Sequence, residues 1–179
     1  MTAPMMGQEL AFPEIEYEQR LHAVQKELSQ QNLAAGILFD PENIYWLTGF
    51  QTIGYFTFQC LLVLKDSKPI LLSRQVNSFL AAVTPTLSQF VGIEDHKSPI
   101  RVLIDLINHH YDPSDVLGLE TKAWYLTVHD YLELKSTCGL ELSEWNGYID
   151  EFRKIKDPRQ INRMRSAARS AEAGLAAAL

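Results

Sequence analysis

Cysteine is scarce in this chain, at two residues in 179, and Cys60 and Cys138 lie too far apart to form a Cys-x-x-Cys pair. That scarcity excludes a disulfide framework and a thiolate zinc site, and predicts a reducing compartment with buried or incidental thiols. Long apolar runs are missing too: none approaches the roughly 18 residues needed to cross a bilayer. Met1 to Glu14 has no basic segment followed by an apolar one, so it does not read as a signal peptide. No glycine-rich loop joins a strand to a helix, which leaves a dinucleotide or P-loop site without sequence support. There is no His-Glu-x-x-His pair and no Gly-x-Ser-x-Gly elbow, so no base is tied to Ser73, Ser98 or Ser143. Together these absences predict a soluble, cytoplasmic protein without a membrane contact.

Apolar residues are plentiful, at 46%, enough for a real core. Ile15, Leu21, Val24 and Leu28 recur at a helical period over residues 15–32. The burst from Ala34 to Phe39 reads as a strand buried on both faces. Pro41-Glu42-Asn43 opens a helical turn that points Ile44, Trp46 and Leu47 inward. Tyr55 to Leu64 and Pro69 to Leu72, separated by Lys65-Asp66-Ser67-Lys68, predict a hairpin and therefore at least one antiparallel pair. A short helix follows over 74–83 (Val76, Phe79, Leu80, Val83), then a strand at 90–93. A helix over 99–110 would bury Val102, Leu103, Leu106 and Ile107. Next come a strand at 116–119, a helix over 122–135 and an edge strand at 140–142. This alternation predicts a three-layer α/β fold with a mixed sheet between helices.

Few residues are arranged for chemistry. His109 and His110 are adjacent, so on a helix they point about 100° apart, and Asp112 sits in a turn of surface character. His129 reads as a partly buried structural histidine, and Ser143 as a helix N-cap. Seven of the sixteen basic residues fall between Arg153 and Arg169, with Asp157 as their only acid. The rest of an overall −6 chain is strongly acidic and would repel phosphate. The basic stretch therefore reads as a solvated helix face or a docking surface, and nucleic acid is not expected as a partner.

The least ordinary segment runs from Tyr45 to Phe58. Counting Phe39 just before it, seven aromatics surround two glycines and several hydroxyl and amide groups. In a strand, Tyr55, Thr57 and Gln59 would share one face, and Phe56, Phe58 and Cys60 the other. Either the segment is core plus an edge loop, or it is an aromatic rim offered to a ligand or subunit. Downstream, Asp157-Pro158 opens an amphipathic helix still running at Ala176-Ala177-Ala178-Leu179, where no residue that usually closes a helix appears. That pattern predicts a chain cut within a longer protein.

Asp40-Pro41-Glu42-Asn43-Ile44-Tyr45-Trp46-Leu47-Thr48-Gly49-Phe50 resembles the "NIxYLTGF" segment of the creatinase, prolidase and aminopeptidase P family. Phe152-Arg153-Lys154-Ile155-Lys156-Asp157-Pro158-Arg159-Gln160-Ile161 resembles the link that ends that family's N-terminal domain. Met164-Arg165-Ser166-Ala167-Ala168 continues it in register. The resemblance implies an N-terminal arm over 1–14 and an N-terminal α/β domain over 15–153. Residues 154–179 would then be the linker and first helix of a pita-bread catalytic domain.

By the same resemblance, the parent protein is a hydrolase of the Xaa-Pro dipeptidase or aminopeptidase P type. Two divalent ions (Mn, Co or Zn) would lie in the second domain, with neither catalytic residues nor metal ligands in this piece. A homodimer is implied, acting on a small peptide or small amide. Tyr55, Phe56, Thr57, Phe58 and Arg74 are the residues expected to meet the partner or restrict the substrate. Creatinase-like members place an arginine near Thr57 to meet a carboxylate; threonine there argues against creatine. The alternatives are a creatinase-like or ectoine-derivative amidohydrolase, a non-catalytic binding relative, and a self-sufficient binding module with the tail as a docking helix.

Overall fold

The computed structural model describes residues 10–178, so most of the expected N-terminal arm and Leu179 lie outside the described residues. The chain divides into two units, one through Tyr148 and one from Ile149 onward. The first holds six strands: β1 (Ala35–Leu38), β2 (Gln59–Leu64), β3 (Ile70–Arg74), β4 (Gln89–Ile93), β5 (Val116–Leu119) and β6 (Glu141–Glu144). They form one mixed sheet in the order β4-β3-β2-β1-β5-β6. β2 runs antiparallel to both β1 and β3, and the remaining pairs are parallel. The helices of this unit are α1 (Glu14–Gln30), α2 (Pro41–Thr48), α3 (Ser78–Ala82), α4 (Pro99–His110) and α5 (Val128–Thr137). α6 (Tyr148–Lys154) and α7 (Pro158–Ala178) follow.

Alternation along the strands divides the core. Ala35, Ile37, Cys60, Leu62, Ile70, Leu72, Leu117 and Leu119 form one apolar cluster with Ile100, Leu103, Ile104 and Ile107 of α4 and Leu134 of α5. Leu38, Leu61, Val63 and Leu71 point to the opposite face and are buried there. The strands carry apolar side chains on both faces because helices cover both, as the three-layer reading requires. Both cysteines are free and buried, and burial pushes each thiol's pKa up. They are packing groups.

On that second face the sheet is pared down for one side chain. Gly36 and Gly118 are paired on neighbouring strands, and the Trp145 ring lies over both. A Cβ on Gly36 would overlap the ring, and one on Gly118 would lie 2.9 Å from Trp145 Cβ and 2.8 Å from Leu33 Cδ1. Trp145 is 2% exposed, and its ring stacks on Tyr148 at 5.9 Å.

Two local devices fix the start of α2. Asp40 caps the helix by accepting from the Glu42 N–H at 2.8 Å, with Pro41 in the first turn, and Gly49 ends it at φ +74. Glu120, just past β5, reaches in from the other side. Its carboxylate accepts from the Phe39 N–H at 2.7 Å, the Asp40 N–H at 2.8 Å and Asn43 Nδ2 at 2.5 Å. Further along, Arg20 ties α1 to α2. It pairs with Glu16, donates to the Trp46 carbonyl at 2.7 Å, and lies over the rings of Phe12, Tyr17 and Trp46. Trp46 is therefore half-buried against a cation, where the sequence predicted an inward-pointing core residue.

Other expectations also shift. The predicted strand at 55 starts only at Gln59, because Thr52 and Thr57 hydroxyls bond the backbone of Gly54 and hold a turn. The helix expected over 122–135 begins at Val128, where the Thr127 hydroxyl accepts from the Asp130 N–H; turns fill the residues before it. His129 is exposed, because it falls on the outer side of that later-starting helix. Ser143 is paired with Gly118 inside β6 and caps nothing. Residues 74–83 split into a 3-10 turn (Gln75–Asn77) and α3, with Val76 and Phe79 turned outward. In the second unit, Asp157 Oδ1 accepts from the Arg159 and Gln160 N–H groups while Gln160 accepts from the Asp157 N–H. This is a capping box with Pro158 in the first turn.

Gly36→Ala or Gly118→Ala should cost about 1–3 kcal/mol by overpacking against Trp145, measured by urea denaturation. Glu120→Ala should cost about 3 kcal/mol or more, because three buried donors lose their acceptor. Burial raises the Glu120 pKa, and Asp40's charge adds to this, against the three hydrogen bonds that lower it. Between the ordinary carboxylate value and that raised value the folded chain binds the extra proton. Stability from this group is thus greatest at low pH and declines as pH rises through that interval. Glu120→Gln, which carries no titrating proton, should remove that slope in a pH series of unfolding curves.

Candidate functional site

The loop after α2 leaves the sheet and returns at Gln59, and its shape is set by hydrogen bonds. Thr52 Oγ1 accepts from the Gly54 N–H at 3.1 Å and donates to Asn77 Oδ1 at 3.0 Å. Asn77 Nδ2 in turn donates to Ser73 Oγ at 2.8 Å. The Thr57 hydroxyl and N–H both go to the Gly54 carbonyl, at 2.7 and 2.9 Å. A relay from β3 through the 3-10 turn thus holds the loop against α3. Ser73 and Asn77 are buried, so these bonds are sheltered from water.

Between loop and helix lies an open hollow of about 1160 Å³. One wall is residues 51–57; the other is Arg74, Val76, Asn77, Phe79, Leu80 and Val83. Its apolar side chains are unusually open to water: Ile53 is 95% exposed, Phe56 73%, Val76 63% and Phe79 61%. Tyr55 packs edge-on against Phe56, ring centres 5.9 Å apart. Four exposed apolar side chains thus stand together on the two walls of the hollow.

The structure brings Tyr55, Phe56, Thr57 and Arg74 of the expected residues to this hollow. Phe58 is elsewhere: it packs edge-on against Phe39 at 5.9 Å, beside the core. Arg74 is bound, its Nε and Nη2 both donating to Asp95 Oδ1 at 3.1 and 2.8 Å. Sequence reasoning missed Ile53 as a lining residue and placed Val76 and Phe79 only within a helix. Their signal was an apolar spacing of three directly after a strand end, which a core helix shares.

Among the described residues, no three His, Cys, Asp or Glu side chains come together to hold a metal ion. His109 and His110 are exposed with ring centres 5.2 Å apart, and Asp112 is exposed in a turn whose backbone N–H bonds Asp115. No described helix is long and apolar enough to cross a membrane.

An uncharacterized hydrolase/peptidase of Sinorhizobium fredii is 29% identical over 169 residues, covering 88% of this chain and 43% of the relative. The ectoine hydrolase of Halomonas elongata is 25% identical, covering 92% of this chain and 44% of its own length. The chain thus spans less than half the length of these curated relatives. In fold it is similar to the prolidase of Thermococcus sibiricus, with TM-score 0.70 at 19% identity over 82% of this chain and 39% of that one. The creatinase/prolidase N-terminal domain of an X-Pro dipeptidase from Streptococcus pyogenes matches with TM-score 0.60 at 19% identity, covering 74% of this chain and 98% of that domain. The family model described as the creatinase/prolidase N-terminal domain matches residues 20–155, and the chain belongs to that family.

Proposed function

We propose that this chain is the non-catalytic N-terminal part of a metal-dependent hydrolase of the Xaa-Pro dipeptidase or aminopeptidase P type. In this reading residues 15–153 form the N-terminal domain. Residues 154–179 are the linker and first helix of a catalytic domain that holds two divalent ions, Mn, Co or Zn. The described residues do not fit such ions, so no chemical step is assigned to them. Their part is to pair two copies and to narrow the approach to the partner's active site. The observation that carries this is the hollow, where large apolar side chains from two segments stand open to water on a hydrogen-bonded frame. Such groups gain about 25 cal/mol for each Å² covered by a second surface.

A second reading is an ectoine-derivative or creatinase-like amidohydrolase, and the likeness to an ectoine hydrolase over 92% of this chain favours it. Both readings assign these residues the same place at the subunit boundary and differ only in substrate. Assay of the longer protein on Xaa-Pro dipeptides and on ectoine, with manganese or cobalt, separates them. Turnover of neither, with the metal ligands absent from the rest of its sequence, would instead indicate a binding member of the family.

Two outcomes are expected of the chain itself. Sedimentation equilibrium should show a dimer that Phe56→Glu with Phe79→Glu weakens by at least about tenfold, since buried charge at an interface core is costly. The thermal midpoint of the monomer, measured at a concentration below that at which the chain pairs, should hold, because both side chains are exposed there. A monomer at every concentration, or a dimer untouched by the double substitution, would overturn the interface assignment. In titration calorimetry, zinc and manganese should bind no better than to scattered surface carboxylates. A stoichiometric micromolar site would send attention back to His109, His110 and Asp112.

A further inference from the structure

The hollow's chemistry says what kind of group it accepts. Among the described residues, Arg74 is the one lining residue that carries a full charge, and its guanidinium is committed to Asp95 on the turn after β4. Of the other polar side chains lining the hollow, three are engaged, and the two exposed ones, Gln51 and Tyr55, carry no charge. Thr52 and Asn77 bond each other, Asn77 bonds Ser73, and Thr57 bonds the Gly54 carbonyl. A carboxylate entering here would lose its water without gaining an uncommitted cation. An uncharged apolar group would lose only unfavourable contact with water, against Ile53, Phe56, Val76 and Phe79.

The geometry points to a hollow that takes an uncharged apolar group of a small amide or peptide, with Asp95 as the specificity-determining residue that keeps Arg74 from receiving an anion. This rests on the reading that the hollow borders a substrate path. Asp95 touches no substrate in this scheme; it acts by occupying the one cation that could reverse the preference. Lysine or arginine elsewhere does not replace it, because among the described residues no other charged side chain lines the hollow. The Arg74–Asp95 pair is solvent-exposed, so its effect should be modest.

The test uses two probes of one shape, N-acetyl-leucine amide and N-acetyl-leucine, titrated into the 15N-labelled 179-residue chain. Backbone signals of residues 51–57 and 74–83 are followed by NMR. The amide should bind at least about fivefold more tightly than the acid, because only the acid must give up the hydration of a charge. Asp95→Ala should improve binding of the acid by about threefold, the scale of an exposed ion pair, and leave the amide unchanged. Adding Arg74→Ala to Asp95→Ala should abolish that gain. Equal binding of acid and amide by the unaltered chain would overturn the proposal. So would an Asp95→Ala variant with unchanged preference, or no signal change with either probe. Because Phe56 and Phe79 are also the expected dimer contacts, the titrations are run at a protein concentration where sedimentation shows the monomer, which keeps the two outcomes separate.

Discussion

The Glu120 carboxylate is the interaction on which the rest of this domain hangs. A buried carboxylate is costly unless its lone pairs are filled, and here three donors converge on it. Two are the backbone N–H groups of Phe39 and Asp40, where the chain leaves β1, and the third is the Asn43 amide in the first turn of α2. The group therefore fixes a strand end and a helix start at once. It also sits at the positive end of α2, where a negative charge is favourable. Because Glu120 itself follows β5, the contact joins segments about eighty residues apart in sequence. The asparagine in the Asp40–Phe50 motif is thereby explained as structural: it completes the shell of a buried anion.

From that fixed point the chain is carried in short rigid steps to the hollow. α2 is stopped by Gly49, and Thr48 closes the turn by donating to the Ile44 carbonyl and accepting from the Phe50 N–H. The loop that follows is a set of side-chain-to-backbone turns braced on Asn77. None of its bonds is strong alone, at about 1 kcal/mol each, but together they leave Ile53 and Phe56 one way to point, and that way is outward. On the other half of the same sheet, the Gly36–Gly118 platform does the opposite: it removes two side chains so that one large ring can be buried. The fold thus spends its aromatic residues differently at its two ends, on packing under Trp145 and on surface around Phe56.

Much of the framework was legible because its signals are local. The apolar run at 35–38, the polar turn between β2 and β3, and the apolar period over 99–110 each act within a few residues. Where the reading failed, a side chain had two options of similar local energy. Thr57 could extend a strand or bond Gly54, and it took the turn. Val76 and Phe79 have the spacing of a buried helix face, yet the segment splits into a 3-10 turn carrying Val76 and a five-residue α3 carrying Phe79, and both side chains face water. Glu120 and the two platform glycines left no trace in pattern, because their partners are distant in sequence.

By itself the sequence determined the alternation of helices and apolar strands, the antiparallel hairpin and the motifs that mark the family. These follow from the residue-by-residue preferences of the backbone and from the period of apolar side chains. Tertiary structure alone decided which carboxylate would be buried, which ring would lie on bare backbone, and which apolar residues would be left outside. Those outcomes depend on contacts between segments tens of residues apart, where burial and hydrogen-bond completion outweigh local propensity. Arg74 shows the difference most simply: sequence gave it a charge, and only its meeting with Asp95, across the parallel pair of β3 and β4, decided what that charge is used for.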